Sequence, residues 1–181
     1  LFALEDLLEF EQGVGRVGFV DVDPDDPRRV LRASTAPVLD VGAPGSFDDN
    51  GVFASSVLRL PDGRIFMYYV GFELCHHIRY RLLTGLAISE DDGETFERQR
   101  DTPVLERSTA EPHFRCGPFV LHEGGRFRMW YVAGGAWETL EGKHVPVYEL
   151  RTLESDDGIR WPEAGRLVMA VQPEHEHGLG R

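Results

Sequence analysis

Along most of the chain, apolar and polar positions alternate in short runs, each bounded by Gly, Asp or Pro. A period of two marks a half-buried β-strand, and Tyr, Trp, Phe, Val and Ile dominate these runs as pleated surfaces prefer. The pattern predicts strands at Gly51–Leu58, Arg64–Val70, Thr84–Ser89 and Thr95–Arg98. A second set is predicted at Cys116–His122, Arg126–Val132, Tyr148–Ser155 and Arg160–Trp161, the last continuing to Leu167–Met169. Only the start differs: Leu1 to Phe10 has the spacing of one or two turns of acidic amphipathic helix, or is the frayed beginning of a fragment.

The two sets are copies of one unit. Met67-Tyr68-Tyr69-Val70 returns as Met129-Trp130-Tyr131-Val132, 62 positions on (129 − 67). Around it, Leu58 to Gly63 matches Leu121 to Gly125, and Ser89 to Phe96 matches Ser155 to Trp161. An incomplete earlier copy precedes them, since Gly18 to Pro24 parallels Gly85 to Asp91 and Pro37-Val38-Leu39 parallels Pro103-Val104-Leu105. A repeat of this length made of short strands and Gly turns implies an all-β chain built as successive blades of a β-propeller. The expected divisions are a partial unit at 18–46, full units at 47–110 and 111–172, and the start of another at 173–181. Propellers close with about four blades or more. With two full units, 181 residues read as a piece of a longer protein; the alternative is a complete small β-domain with a duplicated sheet.

The formal charge of −12 argues against nucleic acid as the partner, because binders of phosphate backbones carry basic stripes. No apolar run reaches the roughly 18 residues of a membrane span. The first residues lack the basic flank and small-residue cleavage site of a signal peptide, which points to the cytoplasm. Cys75 and Cys116 fall in no paired motif, so a disulfide framework is not expected. His76-His77 and His175-x-His177 lack a third ligand at diagnostic spacing and read as loop histidines, so no metal or cofactor is expected.

Loop lengths locate the chemistry. Tight turns at Pro61–Gly63, Glu123–Gly125, Asp91–Gly93 and Asp156–Gly158 share one end of the units. Long connections at 33–50, 71–83, 106–115, 134–147 and 170–181 gather at the other, where binding residues on a rigid scaffold tend to sit. Ser89-x-Asp91-x-Gly93-x-x-Phe96 fits the Asp-box turn, and Asp156-x-Gly158-x-x-Trp161 fits it without the leading Ser; both are structural devices. At the starts of inner strands stand Asp48, Asp49, Glu111 and Glu176, with Asp49 aligned over Glu111 (111 − 49 = 62). Carboxylates converging there can split their pKa values, as glycosidic hydrolysis requires; the alternative is that Asp48, Asp49 and Asn50 cap a turn. Arg115 and Arg181 occupy equivalent positions and can bind an anion or a nearby acid. His113 and His177 are placed to hydrogen-bond a sugar, and Phe72, Tyr80, Trp137 or Tyr148 can stack on one.

Phe47-Asp48 leading an inner strand, Gly63-x-x-x-Met67-Tyr-Tyr69, Gly85-Leu-Ala-Ile-Ser89 and Asp92-Gly-x-x-Phe96 resemble five-bladed propeller glycoside hydrolases. The resemblance is to the arabinanase/xylosidase, invertase/levansucrase and mannoside-phosphorylase families. It implies a carbohydrate substrate, with Asp48 or Asp49 as base or nucleophile and Glu111 or Glu176 as proton donor. Arg115 and His113 would orient the sugar, and a phosphorylase variant would hold phosphate on Arg115 and Arg181. Two departures stand out: the Arg-Asp-Pro and Asn-Asp-Pro signatures of the invertase group are absent, and the strand holding Arg115-Cys-Gly-Pro118 carries no acid. A non-catalytic sugar-binding module in polysaccharide metabolism is therefore the second expectation. A sialidase-like propeller, prompted by the Asp-boxes, is the third, although it needs a further funnel Arg and a Tyr nucleophile.

Overall fold

The computed structural model describes residues 2–6, 13–172 and 176–179. It is all-β, and among the described residues no helix is long and apolar enough to cross a membrane. The strands are β1 (Phe2–Asp6), β2 (Val14–Gly18), β3 (Val20–Val22), β4 (Val30–Ala33), β5 (Val52–Arg59), β6 (Ile65–Leu74), β7 (Tyr80–Ser89), β8 (Glu97–Arg98), β9 (Phe114–Glu123), β10 (Arg126–Leu140), β11 (Lys143–Ser155) and β12 (Arg166–Met169). The helical expectation for the first residues is overturned: Phe2–Asp6 pairs antiparallel with β2 from Phe2↔Gly18 to Asp6↔Val14. A weak amphipathic pattern over ten residues does not outweigh a ready ladder of backbone partners.

The two predicted units are antiparallel meanders, β5-β6-β7-β8 and β9-β10-β11-β12. Their junction is parallel, at Leu83↔Arg115 between β7 and β9. The same junction recurs one unit later as the parallel bridge Tyr148↔Gly178. The earlier partial copy also fits the repeat, because Val17 bridges Leu39 as Thr84 bridges Leu105. The fourth strand of the second unit is displaced from the sequence expectation. Arg160–Trp161 lies outside any strand, and pairing resumes only at Arg166.

Period-two alternation gives each unit two apolar faces, and the units stack on them. Ile65, Met67 and Tyr69 of β6 pack toward the partial copy, against Val17, Val38 and Leu39. Phe66 and Tyr68, on the opposite face, pack toward the second unit against Phe127, Met129, Tyr131 and Leu153. Tyr68 is fully buried there and donates from its hydroxyl to the Gly158 carbonyl at 2.7 Å. Seryl side chains also join the inner strands: Ser55 Oγ donates to the Pro118 carbonyl at 3.0 Å, and the Val120 N–H donates to Ser56 Oγ at 3.0 Å.

The long-connection end departs most from expectation. At 71–83 and 134–147, where sequence suggests loops, the strands continue as projecting hairpin arms. In the second arm, β10 and β11 pair to Leu140↔Lys143 and turn at Glu141 (φ 49) and Gly142 (φ 77). Two consecutive left-handed residues make the tight turn whose twist matches antiparallel strands. Gly134-Gly135, which reads as a loop signal, is instead the site of a register shift that lets the ladder continue.

Candidate functional site

Each unit buries a carboxylate at the start of its inner strand. In the first, Asp48 is 1% exposed and accepts hydrogen bonds from Ser46 Oγ (2.9 Å), Tyr69 Oη (3.0 Å) and Arg98 Nε (2.9 Å). In the second, Glu111 is also 1% exposed and accepts from Tyr131 Oη (2.7 and 2.8 Å) and the Gly165 N–H (2.8 Å). Arg115 Nε lies 2.6 Å from Glu111 Oε2, and Arg151 Nη1 lies 3.7 Å from Oε1. Gly165 is required at this point, because a Cβ there would meet Tyr131 Oη at 2.6 Å and the Thr152 carbonyl at 3.0 Å. Burial, and then the neighbouring carboxylates, hold the Tyr69 and Tyr131 hydroxyls above the ordinary phenol range, so both tyrosines serve as donors.

The two acids share no partner among the described residues, so each is consumed within its own unit. The registration also differs by one residue from the sequence alignment. It is Asp48, not Asp49, that occupies the setting of Glu111, since each accepts from the tyrosine of its second strand. Asp49 is partly exposed and its Oδ2 caps a turn, accepting from the Gly45 N–H at 2.8 Å. The Asp-box of the second unit shifts likewise. Ser155 Oγ donates to Asp157 Oδ1 at 3.1 Å, and the Ile159 and Arg160 N–H groups donate to the same oxygen at 2.8 Å. The leading Ser is therefore present, and Asp157 rather than Asp156 is the box acid.

Of the other predicted site residues, Arg115 is 3% exposed and donates to the Glu106 and Pro162 carbonyls at 2.8 and 2.9 Å besides pairing with Glu111. Its guanidinium nitrogens are occupied within the unit, so a phosphate there would have to displace one of these partners. Arg181 lies outside the described residues, as do Glu174 and His175. His113 is partly buried, and its N–H donates to the Gly134 carbonyl at 3.3 Å. Glu176 closes a local turn, its Oε2 accepting from the Gln172 N–H at 3.1 Å. His177 Nδ1 stands 3.4 Å from Glu138 Oε2 on the outer part of β10.

A concave feature at the long-connection end is a cleft of about 1340 Å³ beside the two arms. Phe72, Leu74, Cys75, His76, His77, Ile78, Arg79 and Tyr80 line it from the first arm, Gly142, Lys143 and His144 from the second, and Asn50 from below. Its aromatic floor is braced from behind: Phe72 and Tyr80 have ring centroids 5.4 Å apart, Tyr80 and Trp137 6.1 Å, and Phe114 and Trp137 5.2 Å. Tyr148, by contrast, packs close over Gly178. Asn50 Oδ1 accepts from the Leu74 N–H at 2.9 Å, tying the start of β5 to the first arm. Sequence reasoning named the rings and read His76-His77 as loop histidines, but it did not single out Arg79 or Lys143, which sit at hairpin tips that read as unstructured loop.

Comparison with known proteins agrees with this architecture. The chain is 34% identical over 156 residues to uncharacterized proteins of Mycobacterium tuberculosis strains CDC 1551 / Oshkosh and ATCC 25618 / H37Rv. The match covers 86% of this chain and 51% of each relative, so the chain spans about half the length of the curated relatives it matches. Among solved structures it resembles one described as "Glycoside hydrolase" (TM-score 0.65, 22% identity, 89% of this chain and 51% of that one). Another is a BT0996 RGII complex (TM-score 0.60, 22% identity, 87% and 51%). At that identity the two structures speak for the fold. The sequence profile described as "Glycosyl hydrolases family 32 N-terminal domain" matches residues 40–177, well over half the chain, and the chain belongs to that family.

Proposed function

We propose that this chain is part of a five-bladed propeller glycosidase that acts on a carbohydrate at the end carrying the two arms. The observation that carries the reading is the cleft. It combines a braced aromatic floor, suited to a sugar face, with Asn50 at an inner-strand start and polar groups on the arms, the usual make-up of a small-molecule site. Closure into a propeller is supported by the outward face of the second unit. Trp130 stands in the register of Tyr68, yet it is only partly buried, and its neighbour Phe119 is 44% exposed. Tyr68 reaches full burial because another unit covers it. A further unit from the rest of the longer protein would do the same for Trp130.

Within this reading, Asp49 is the base or nucleophile. It is partly exposed and adjoins Asn50, which lines the cleft. Asp48 and Glu111, with their oxygens occupied, position the inner strands. Glu176 is the candidate proton donor among the described residues. Partners about 5 Å apart would retain configuration, and those about 6.5–9.5 Å apart would invert it.

The test is hydrolysis of a glycoside panel by the full-length protein. Asp49→Asn is expected to lower turnover about 10²–10⁴-fold while sugar binding persists. Undiminished turnover would remove Asp49 from the chemistry. The second reading, a non-catalytic sugar-binding module, is favoured by one observation: both fully buried acids are already paired with arginine. It predicts sugar binding without turnover in the parent, unaffected by Asp49→Asn.

A further inference from the structure

We infer that the cleft between the arms takes an anionic carbohydrate, one carrying a carboxylate or phosphate on the sugar. The inference rests on the proposed use of the cleft as the sugar site and adds the class of sugar. It begins from a charge anomaly. The chain has 31 acidic against 19 basic residues, yet the cleft lining contains Arg79, Lys143, His76, His77 and His144 and, among the described residues, no acid. Lys143 is the only lysine in the sequence.

Pairing sharpens the anomaly. Most arginines elsewhere are matched to acids, as in Arg16–Asp40, Arg59–Asp92, Arg98–Asp48 and Arg128–Glu154, with Arg100, which donates to the Pro103 carbonyl, and Arg166 as exceptions among the described residues. Arg79 and Lys143 have no carboxylate partner among the described residues. The acids nearest in sequence are otherwise placed. Glu73 is held by Arg81 at 2.8 Å, Glu138 faces His177, and Glu141 sits in the turn of the second arm outside the lining. His144 is oriented by Thr139 Oγ1, 3.2 Å from its Nδ1. Two cations at the tips of separate arms, above a floor of Phe72 and Tyr80, can grip one charged substituent while the ring lies on the aromatic face. The same positive island is too small for a polyanion, which the overall charge of −12 would repel.

Three probes separate the possibilities on the full-length protein: a hexuronate oligosaccharide, its carboxyl-reduced neutral counterpart, and a hexose phosphate, each titrated calorimetrically. The uronate or the phosphate is expected to bind at least about tenfold tighter than the neutral sugar, the size of one charged hydrogen bond. Whichever binds identifies the anion. Arg79→Gln and Lys143→Gln, both at exposed arm tips, should each remove about that tenfold preference, lowering affinity for the charged sugar far more than for the neutral one. Alkylation of Cys75, which lines the cleft, should slow when the charged sugar is bound; Cys116 is buried, its thiol pushed up to about 12 by burial, and serves as the silent control. Equal affinity for charged and neutral sugars, or indifference to both substitutions, overturns the inference and spares the cleft as a sugar site. If Tyr80→Ala leaves all sugar binding intact and no probe protects Cys75, the use of the cleft itself fails.

Discussion

The first and second units solve one problem with different parts. Both bury a carboxylate at the start of the inner strand and hold it with the tyrosine of the second strand, Tyr69 for Asp48 and Tyr131 for Glu111. In the first unit the balancing cation comes from the outermost strand, through Arg98, whose side chain keeps 21% of its exposure. In the second it comes from the same inner strand, through Arg115 at 3% exposure, four positions after Glu111. Moving the arginine inward leaves the outer position open, and the Gly165 N–H fills it. What is kept between the copies is the satisfied buried acid, not the residues that satisfy it. A buried charge without partners costs far more than any one partner contributes.

That difference sets the largest expected effect. Glu111→Gln leaves Arg115 charged, buried and unmatched, and should cost about 3–5 kcal/mol. Asp48→Asn leaves Arg98 able to turn toward water, so about 1–3 kcal/mol is expected. Urea midpoints of the two variants test the comparison directly. An equal or larger loss for Asp48→Asn would mean that the exposure of the arginine does not govern the outcome.

A smaller effect tests whether each acid and its tyrosine act as one group. Tyr131→Phe and Tyr69→Phe should each cost about 1–2 kcal/mol, the loss of a donor to a buried carboxylate. Combined with Glu111→Gln, Tyr131→Phe should add much less than it costs alone, whereas Tyr69→Phe should add in full, because it serves the other acid. A double-mutant cycle with full additivity in both pairs would dissolve the idea of two self-contained clusters.

The comparison also shows why parts of the molecule were legible in the sequence and others were not. Strand pairing within each unit followed from period-two runs and Gly turns, since both are local. The copies themselves were visible because Met67-Tyr-Tyr69 and Met129-Trp-Tyr131 must pack the same layers. The cluster of the first unit was hidden, because Arg98 lies 50 positions from Asp48 and nothing nearby in sequence marks the pair, whereas Arg115, four positions after Glu111, was already a candidate partner for a nearby acid. The shift from Asp49 to Asp48 arose from aligning on β6 and β10: Ile65 and Phe127 are 62 apart (127 − 65), but their partners Arg59 and His122 are 63 apart (122 − 59), because the turn between these strands is one residue shorter in the second unit. The arms were missed because Gly134-Gly135 signals a loop, while the tight turn that continues the ladder lies farther on at Glu141-Gly142. Asp48, Glu111 and Arg115, given a functional role by position, thus have partners within the fold, and Arg79 and Lys143 of the cleft lay in what read as loop.

The smallest effect concerns the opposite end of the same two units, where the Asp-box turns sit. Asp91 is held at about 2 against an ordinary 3.8 by hydrogen bonds from the Thr95 hydroxyl, the Thr95 N–H and Ser89. At Asp157, burial works in the opposite direction, yet the Arg160 and Ile159 N–H groups still bring its acid below the ordinary value. Because the folded-state values lie below the unfolded ones, both acids stabilise the protein above pH 3.8; for Asp91 the benefit drains away as the pH falls toward 2, and for Asp157 as it falls through that acid's own lowered value. Asp91→Asn should therefore sit a constant few degrees below the parent in Tm from neutral pH down to about pH 5, with the gap closing by about pH 2. Asp157→Asn should close over a narrower range, since burial offsets part of its shift. If both gaps stayed constant throughout acid titration, the turns would depend on the shape of the side chain and not on its charge, and the two copies would be alike in the respect in which the buried acids differ.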